Sequence, residues 1–251
     1  MNNLENEFNK IITEAQTNPD ILGLVLIGSR GKGFENEFSD YDAVLIVTDE
    51  SAKKLKQEYR SRKLDNIDLA VYSLSGFREY AVWESKETWD RYNYAHTKIL
   101  LDKTRELPEI IKAKGYIPKE KQKQFIEWWI DGYVNGVFRS VKCIRNNNKL
   151  GAHLEAVNSI LDLLTLVFGI NGRHRPFLGY VEKELLTYPL EELPWTIQDF
   201  TLKISKVLEN GDLKTQQELL KDVETWCRKI GYGYMFDGWE GKDQWTMNLI
   251  I

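Results

Sequence analysis

Gly28-Ser29-Arg30-Gly31-Lys32-Gly33-Phe34-Glu35-Asn36-Glu37-Phe38-Ser39-Asp40-Tyr41-Asp42 is the stretch on which the reading of this chain turns. It joins two apolar runs, residues 21–27 and 43–47, whose length and composition predict buried strands. Gly28 directly follows the first strand. Its missing side chain lets the backbone turn and lets an anion approach main-chain N–H groups. Ser29 adds a hydroxyl donor at the same spot. Arg30 and Lys32 bring positive charge that either faces outer phosphates or points to water. Asp40 and Asp42, two residues apart on a segment running into the second strand, share a face. Two adjacent carboxylates repel unless a cation lies between them, and hard oxygen donors suit Mg²⁺, so the pair reads as a metal site.

Outward from this stretch, residues 67–72 (Ile-Asp-Leu-Ala-Val-Tyr) predict a third strand. Alternation places Ile67, Leu69 and Val71 on one face and Asp68 on the other. An acid inside an apolar strand is costly unless it is paired or metal-bound, which makes Asp68 the candidate third carboxylate. Asp65 precedes the strand and reads as a turn residue. Leu4, Phe8, Ile11, Ile12 and Ala15 recur at helical spacing, residues 51–63 suit an exposed charged helix, and residues 97–101 suit a fourth strand.

Beyond Pro118 the period changes. Phe125, Trp129, Tyr133, Val137, Val141 and Ile144 form one helical stripe, and Leu154, Val157, Leu161, Leu164 and Phe168 another. The polar residues 146–149 with Gly151 mark the turn between an antiparallel pair. Residues 196–208 and 213–230 continue the helical pattern. The expected fold class is therefore α+β: an N-terminal α/β domain with a small mixed sheet over residues 1–110, then a helical bundle over residues 111–251. The boundary is expected between Asp102 and Pro118.

The 251 residues carry a formal net charge of −4, with 42% hydrophobic and 29% charged residues. That is the composition of an ordinary globular chain and lacks the broad basic surface of a general nucleic-acid binder, so no nucleic-acid partner is expected. Residues 1–10 are polar and acidic and do not read as a secretory leader, which predicts a cytoplasmic protein. Cys143 and Cys227 have no paired spacing and read as reduced core residues. The longest apolar stretches, residues 21–27 and 160–170, fall short of the ~20 residues that span a bilayer, so no transmembrane segment is expected. Oligomeric state has no signature in the sequence.

The combination Gly28-Ser29, Gly33 and Ser39-Asp40-Tyr41-Asp42, with Asp68 at a third acidic position, resembles the nucleotidyltransferase superfamily that includes DNA polymerase beta. The likeness is to its small bacterial branch of aminoglycoside and lincosamide adenylyltransferases. In motif it covers roughly residues 22–72, and the helical half resembles that branch only in architecture. One departure is Gly31, where many members have alanine. The resemblance implies two Mg²⁺ ions: Asp40 and Asp42 hold the ion on the triphosphate, and Asp68 helps hold the second and can draw the acceptor's proton. Gly28, Ser29, Arg30 and Ser39 are the expected nucleotide contacts. ATP is the expected donor, and a small hydroxylated molecule, an aminoglycoside or lincosamide among the possibilities, the expected acceptor.

Arg139, Lys142 and Arg145 share a helix side, usually a solvated one; in related bundles a basic residue from this region reaches the phosphates, which makes Lys142 the candidate here. Asp131 and Glu155 are open as acceptor-side bases or surface acids. Residues 171–176 (Asn-Gly-Arg-His-Arg-Pro) read as a helix end or an anion contact. The aromatic and acidic tail, with Tyr234, Phe236, Trp239 and Trp245, reads as bundle packing or as a face for a cationic or sugar-like acceptor. His96 and His153 have no ligand-like neighbours in the sequence and receive no role. Two further readings stay open: a protein-modifying, antitoxin-like adenylyltransferase and a nucleotide-binding regulator without turnover. Three intact carboxylates argue against the second.

Overall fold

A computed structural model describes residues 3–62, 64–238 and 245–250, in two compact units, Met1–Pro118 and Lys119–Ile251. In the first unit, α1 (Asn3–Thr17) turns Phe8, Ile11 and Ala15 onto one buried face. There follow β1 (Ile21–Leu26), α2 (Gly28–Lys32), β2 (Tyr41–Val47), α3 (Ala52–Ser61), β3 (Ile67–Ser73) and α4 (Leu74–Glu79). A 3₁₀ turn (Thr88–Tyr94), β4 (Lys98–Asp102) and α5 (Leu107–Gly115) complete the unit. The strands form one mixed sheet in the order β3-β2-β1-β4. β1 is antiparallel to β2 and β4, and β2 is parallel to β3.

Both sheet faces are covered, which is why β1 and β2 read as continuous apolar runs rather than alternating ones. Leu24, Leu26, Leu45, Val47, Ile67 and Val71 pack with Phe8 and Ile11 of α1 and Leu55 and Tyr59 of α3. Val25, Val44 and Ile46 pack on the opposite face with Phe77, Tyr94, Leu107 and Ile111. The glycine-rich stretch winds into the short helix α2 instead of forming a plain turn. A Cβ at Gly31 would lie 2.5 Å from the Leu26 carbonyl oxygen, so the alanine common in the resembling family does not fit this backbone.

Helix α5 carries a cation into this core. Lys114 is fully buried, donates from Nζ to the Tyr80 carbonyl, and lies 4.9 Å from the Phe77 ring. Burial, aided by Arg91, lowers its pKa to about 8. The folded value lies below the ~10.4 of a free lysine, so between the two the unfolded chain binds more protons and stability rises with pH. Tyr80 and Tyr94, whose pKa values burial raises, act in the opposite direction above ~10, where the unfolded chain loses their protons first. Lys114→Met is expected to flatten the rise that begins near pH 8. Urea titrations across the window check it, and an equal slope in parent and variant would assign the rise to another group.

The second unit contains α6 (Lys119–Arg145), α7 (Lys149–Ile170), α8 (Val181–Thr187), α9 (Ile197–Asn210), α10 (Leu213–Lys229), α11 (Tyr234–Asp237) and α12 (Trp245–Asn248). Between α6 and α7, Asn147 takes φ 56° and the Asn148 side chain accepts from Gly151 N–H at 2.9 Å, capping α7. The two helices run antiparallel and close together. A Cβ at Gly136 would lie 2.9 Å from that of Ser159, and Ser140 Oγ donates to the Ala152 carbonyl at 2.9 Å.

The buried stripes match the expected ones at Tyr133, Val137 and Val141 of α6 and at Leu164 and Phe168 of α7, and differ toward the start of each helix. On α6, Ile126 and Ile130 replace Phe125 and Trp129 as the first core residues, and on α7 Leu154 is 61% exposed whereas Ala152, Ala156, Ile160 and Leu163 are buried. The small residues win because the helix axes approach too closely for larger ones. α7 has 22 residues and an 18-residue window of mean hydropathy 1.4, long and apolar enough to cross a membrane by length and composition alone, a test that a buried core helix also passes. In this structure 56% of that window is buried, and Ile160, Leu163, Val167 and Phe168 belong to the core of the unit.

Candidate active site

The pairing of β2 with β3 sets Asp42 opposite Asp68 in register, and Asp40 lies two residues before Asp42. Asp42 is half-buried, while Asp40 and Asp68 are exposed. Burial, followed by the charges of Asp40 and Asp68, raises the Asp42 pKa above the ordinary aspartate range, and Lys32 pulls it back. Among the described residues no group of three His, Cys, Asp or Glu side chains is gathered closely enough to hold a metal ion as it stands.

Gly28 closes one side of this group. It has φ +60°, and a Cβ there would lie 2.0 Å from Asp42 Oδ2, so the glycine is required both by the left-handed backbone and by the carboxylate against it. The Ile27 N–H donates to the Asp42 carbonyl at 2.9 Å, fixing the end of β1 beside Asp42. Gly28→Ala is expected to cost about 1–3 kcal/mol in strain and to push the Asp42 carboxylate aside. Chemical denaturation reads the first effect, and unchanged stability would show that the turn relaxes.

The two cations of the stretch hold the site's framework. Arg30 donates from Nε to the Asp40 carbonyl at 2.8 Å and from Nη2 to the Ser39 carbonyl at 2.7 Å, with its guanidinium 4.2 Å from the Tyr41 ring. It clamps the backbone that presents the first carboxylate. Lys32, expected to face phosphates or water, is 1% exposed and donates to the carbonyls of Asn93 (3.0 Å) and Ala95 (2.6 Å). Ser39 Oγ accepts from Asn36 N–H at 2.9 Å, which folds the loop back before Asp40. Ser29 is buried in α2, and its carbonyl accepts from Phe34 N–H at 2.8 Å.

The sequence reading passed over Asp90. It is 7% exposed in the 3₁₀ turn, accepts from Asn93 Nδ2 at 2.6 Å, and has its pKa raised by burial against the opposing pull of Asn93, Tyr80 and Lys32. Lys32 thus sits electrostatically between two carboxylates, Asp42 and Asp90. The available signal was an acid flanked by aromatic residues in Trp89-Asp90-Arg91-Tyr92-Asn93-Tyr94.

In the second unit, Lys142 is exposed on α6. Its neighbours on that side are engaged: Arg139 pairs with Glu155 at 2.9 Å, and Arg145 lies 4.3 Å from the Trp245 ring. Asp131 accepts from Asn135 Nδ2 at 3.0 Å. Arg173 bridges Glu184 and the Tyr188 carbonyl, and Arg175 donates to the Leu161 carbonyl at 3.3 Å, so this helix-end cluster ties the bundle together. Tyr234 donates to Glu127 and Phe236 is buried; Trp239 lies outside the described residues.

No protein-family model matches the chain, and no curated protein matches it. Among solved structures it is similar to a nucleotidyltransferase-like protein from Exiguobacterium sibiricum 255-15, at 12% identity and a TM-score of 0.44, over 92% of this chain and 78% of that one. It is also similar to a toxin-antitoxin with AMP-PNP, at 18% identity and a TM-score of 0.28, over 42% of this chain and 82% of that one. A mutant of the toxin-antitoxin MntA-HpeT is similar over the same shares, at 15% identity and a TM-score of 0.27.

Proposed function

We propose that this chain is a Mg²⁺-dependent nucleotidyltransferase that moves adenylate from ATP to a hydroxyl of a small acceptor. The observation that carries the reading is the pair Asp42 and Asp68 at matching positions of two parallel strands, with Asp40 two residues before and Gly28 against the Asp42 carboxylate. The donor set fits a hard divalent cation: oxygen ligands only, with burial and then mutual repulsion raising the Asp42 pKa, a repulsion that a bound cation would relieve. Asp40 and Asp42 would hold the ion on the triphosphate, and Asp68 would share in the second. Ions held there would supply Lewis-acid polarisation of the α-phosphate and offset charge on the leaving pyrophosphate.

The remaining work falls to the chain's own groups. Gly28 and Ser29 would let phosphate oxygens approach the backbone closely. Arg30 acts indirectly, by keeping the Ser39–Asp40 backbone in place. Asp68 takes the acceptor's proton as its oxygen bonds to the α-phosphorus and the bond to pyrophosphate breaks. The acceptor class suggested by the sequence resemblance is an aminoglycoside or lincosamide. Incubation with labelled ATP and Mg²⁺ against pooled aminoglycosides, lincosamides and cell proteins is expected to transfer label to a small molecule, with loss on chelation. Nucleotide binding with no label transferred in any pool would overturn the enzymatic reading.

A further inference from the structure

The two edges of the sheet are treated differently. β4 has five residues, a register shift against β1, and charged residues, Lys98 and Asp102, at its ends. Those are devices that discourage further pairing. β3 is longer and has no charge at either end, its one acid, Asp68, standing inside the strand. Its seven residues, Ile67-Asp68-Leu69-Ala70-Val71-Tyr72-Ser73, pair with β2 without a shift, and among the described residues no strand lies on its outer side. Tyr41 N–H donates to the Asn66 carbonyl at 3.0 Å, so in a parallel ladder the backbone groups of Asp68 and Ala70 also face β2. Those of Ile67, Leu69 and Val71 point outward, an open row of donors and acceptors.

This edge lies in a cleft of about 400 Å³ whose lining includes Ile67 through Tyr72 and, from α3, Lys56, Tyr59 and Arg60. Lys56 and Arg60 are exposed, one helical turn apart, and so repel each other along the cleft wall. Arg62 is already committed to Glu14 and Glu58. We infer that the outer edge of β3 is a docking edge for an acidic peptide segment that adds to the sheet in extended conformation. The backbone row supplies the pairing and Lys56 and Arg60 select acidic side chains. A second copy of the chain fits less well, because pairing β3 with β3 brings two copies of the same basic wall together. Asp68, which the proposed transfer uses, also lines the cleft, so peptide binding is read without nucleotide and apart from transfer.

The test uses the full chain and a fluorescent, end-blocked seven-residue peptide of alternating Glu and Val, followed by anisotropy. Saturable binding that weakens with salt is expected, at least tenfold weaker for Lys56→Glu/Arg60→Glu and for a peptide N-methylated at alternate amides. Leu69→Pro removes an outward N–H without touching the β2 ladder and is expected to abolish binding; the exposed-charge variant and the N-methylated peptide keep the test decisive if that variant folds poorly. The inference is overturned if the peptide does not bind, if a Lys-Val peptide binds as well, if the N-methylated peptide binds equally, or if sedimentation shows the edge occupied by a second copy.

Discussion

Asp42→Asn is expected to lower nucleotidyl transfer by about 10³-fold or more while leaving the chelated protein at least as stable as the parent. The half-buried carboxylate faces Asp40 and Asp68, and burial plus those charges raise its pKa. A raised folded value means that the unfolded chain loses this proton first as pH rises, so ionisation of Asp42 lowers stability at neutral pH. Asparagine keeps the shape and removes the ionisation. Denaturant titrations with chelator and with added Mg²⁺ check the stability part: Mg²⁺ is expected to stabilise the parent and to have little effect on the variant. Undiminished transfer in Asp42→Asn would remove this residue from the chemistry, and lower stability under chelation would show that its carboxylate is favourably held.

The largest loss of stability is expected at Lys32. Its buried ammonium satisfies the carbonyls of Asn93 and Ala95 and lies 4.6 Å from the Tyr92 ring. It also opposes the raised pKa values of Asp42 and Asp90. Lys32→Met preserves the stem but strands two carbonyls and removes the cation shared by two carboxylates, a loss of about 3–5 kcal/mol. Urea-induced unfolding checks it, and a change below about 1 kcal/mol would place Lys32 among ordinary surface-like positions. Weaker nucleotide binding in a stable variant would instead return it to the role that its sequence position suggested.

Lys32 and Arg30 illustrate where one-dimensional reasoning runs out. A cation after a glycine turn reads as a phosphate contact because nothing in the local sequence reveals a carbonyl cluster from residues 93 and 95 arriving over it. The differences at the starts of the α6 and α7 stripes have a similar origin: periodicity marks apolar positions, but it does not show where helix axes approach as closely as at Gly136 and Ser159. Asp90 was invisible as a buried acid because its partners, Tyr80 and Lys32, are remote in the chain.

What the sequence determined by itself was the four strands, the long helices and the carboxylate spacing, but not the short helices α2, α4, α5 and α8. Apolar runs and glycine punctuation act locally, and strand alternation alone leads one to expect Asp40 and Asp42 on one face and Asp68 opposite its apolar neighbours. Tertiary structure decided which charges meet. The parallel register of β2 and β3 sets Asp68 beside Asp42, and the turn at Gly28 leaves room for the carboxylate. The 3₁₀ segment folded over α2 converts Lys32 from a solvent cation into a buried strut. Coulomb energy and desolvation depend on distance and burial in space, and neither quantity is encoded in the spacing of residues along the chain.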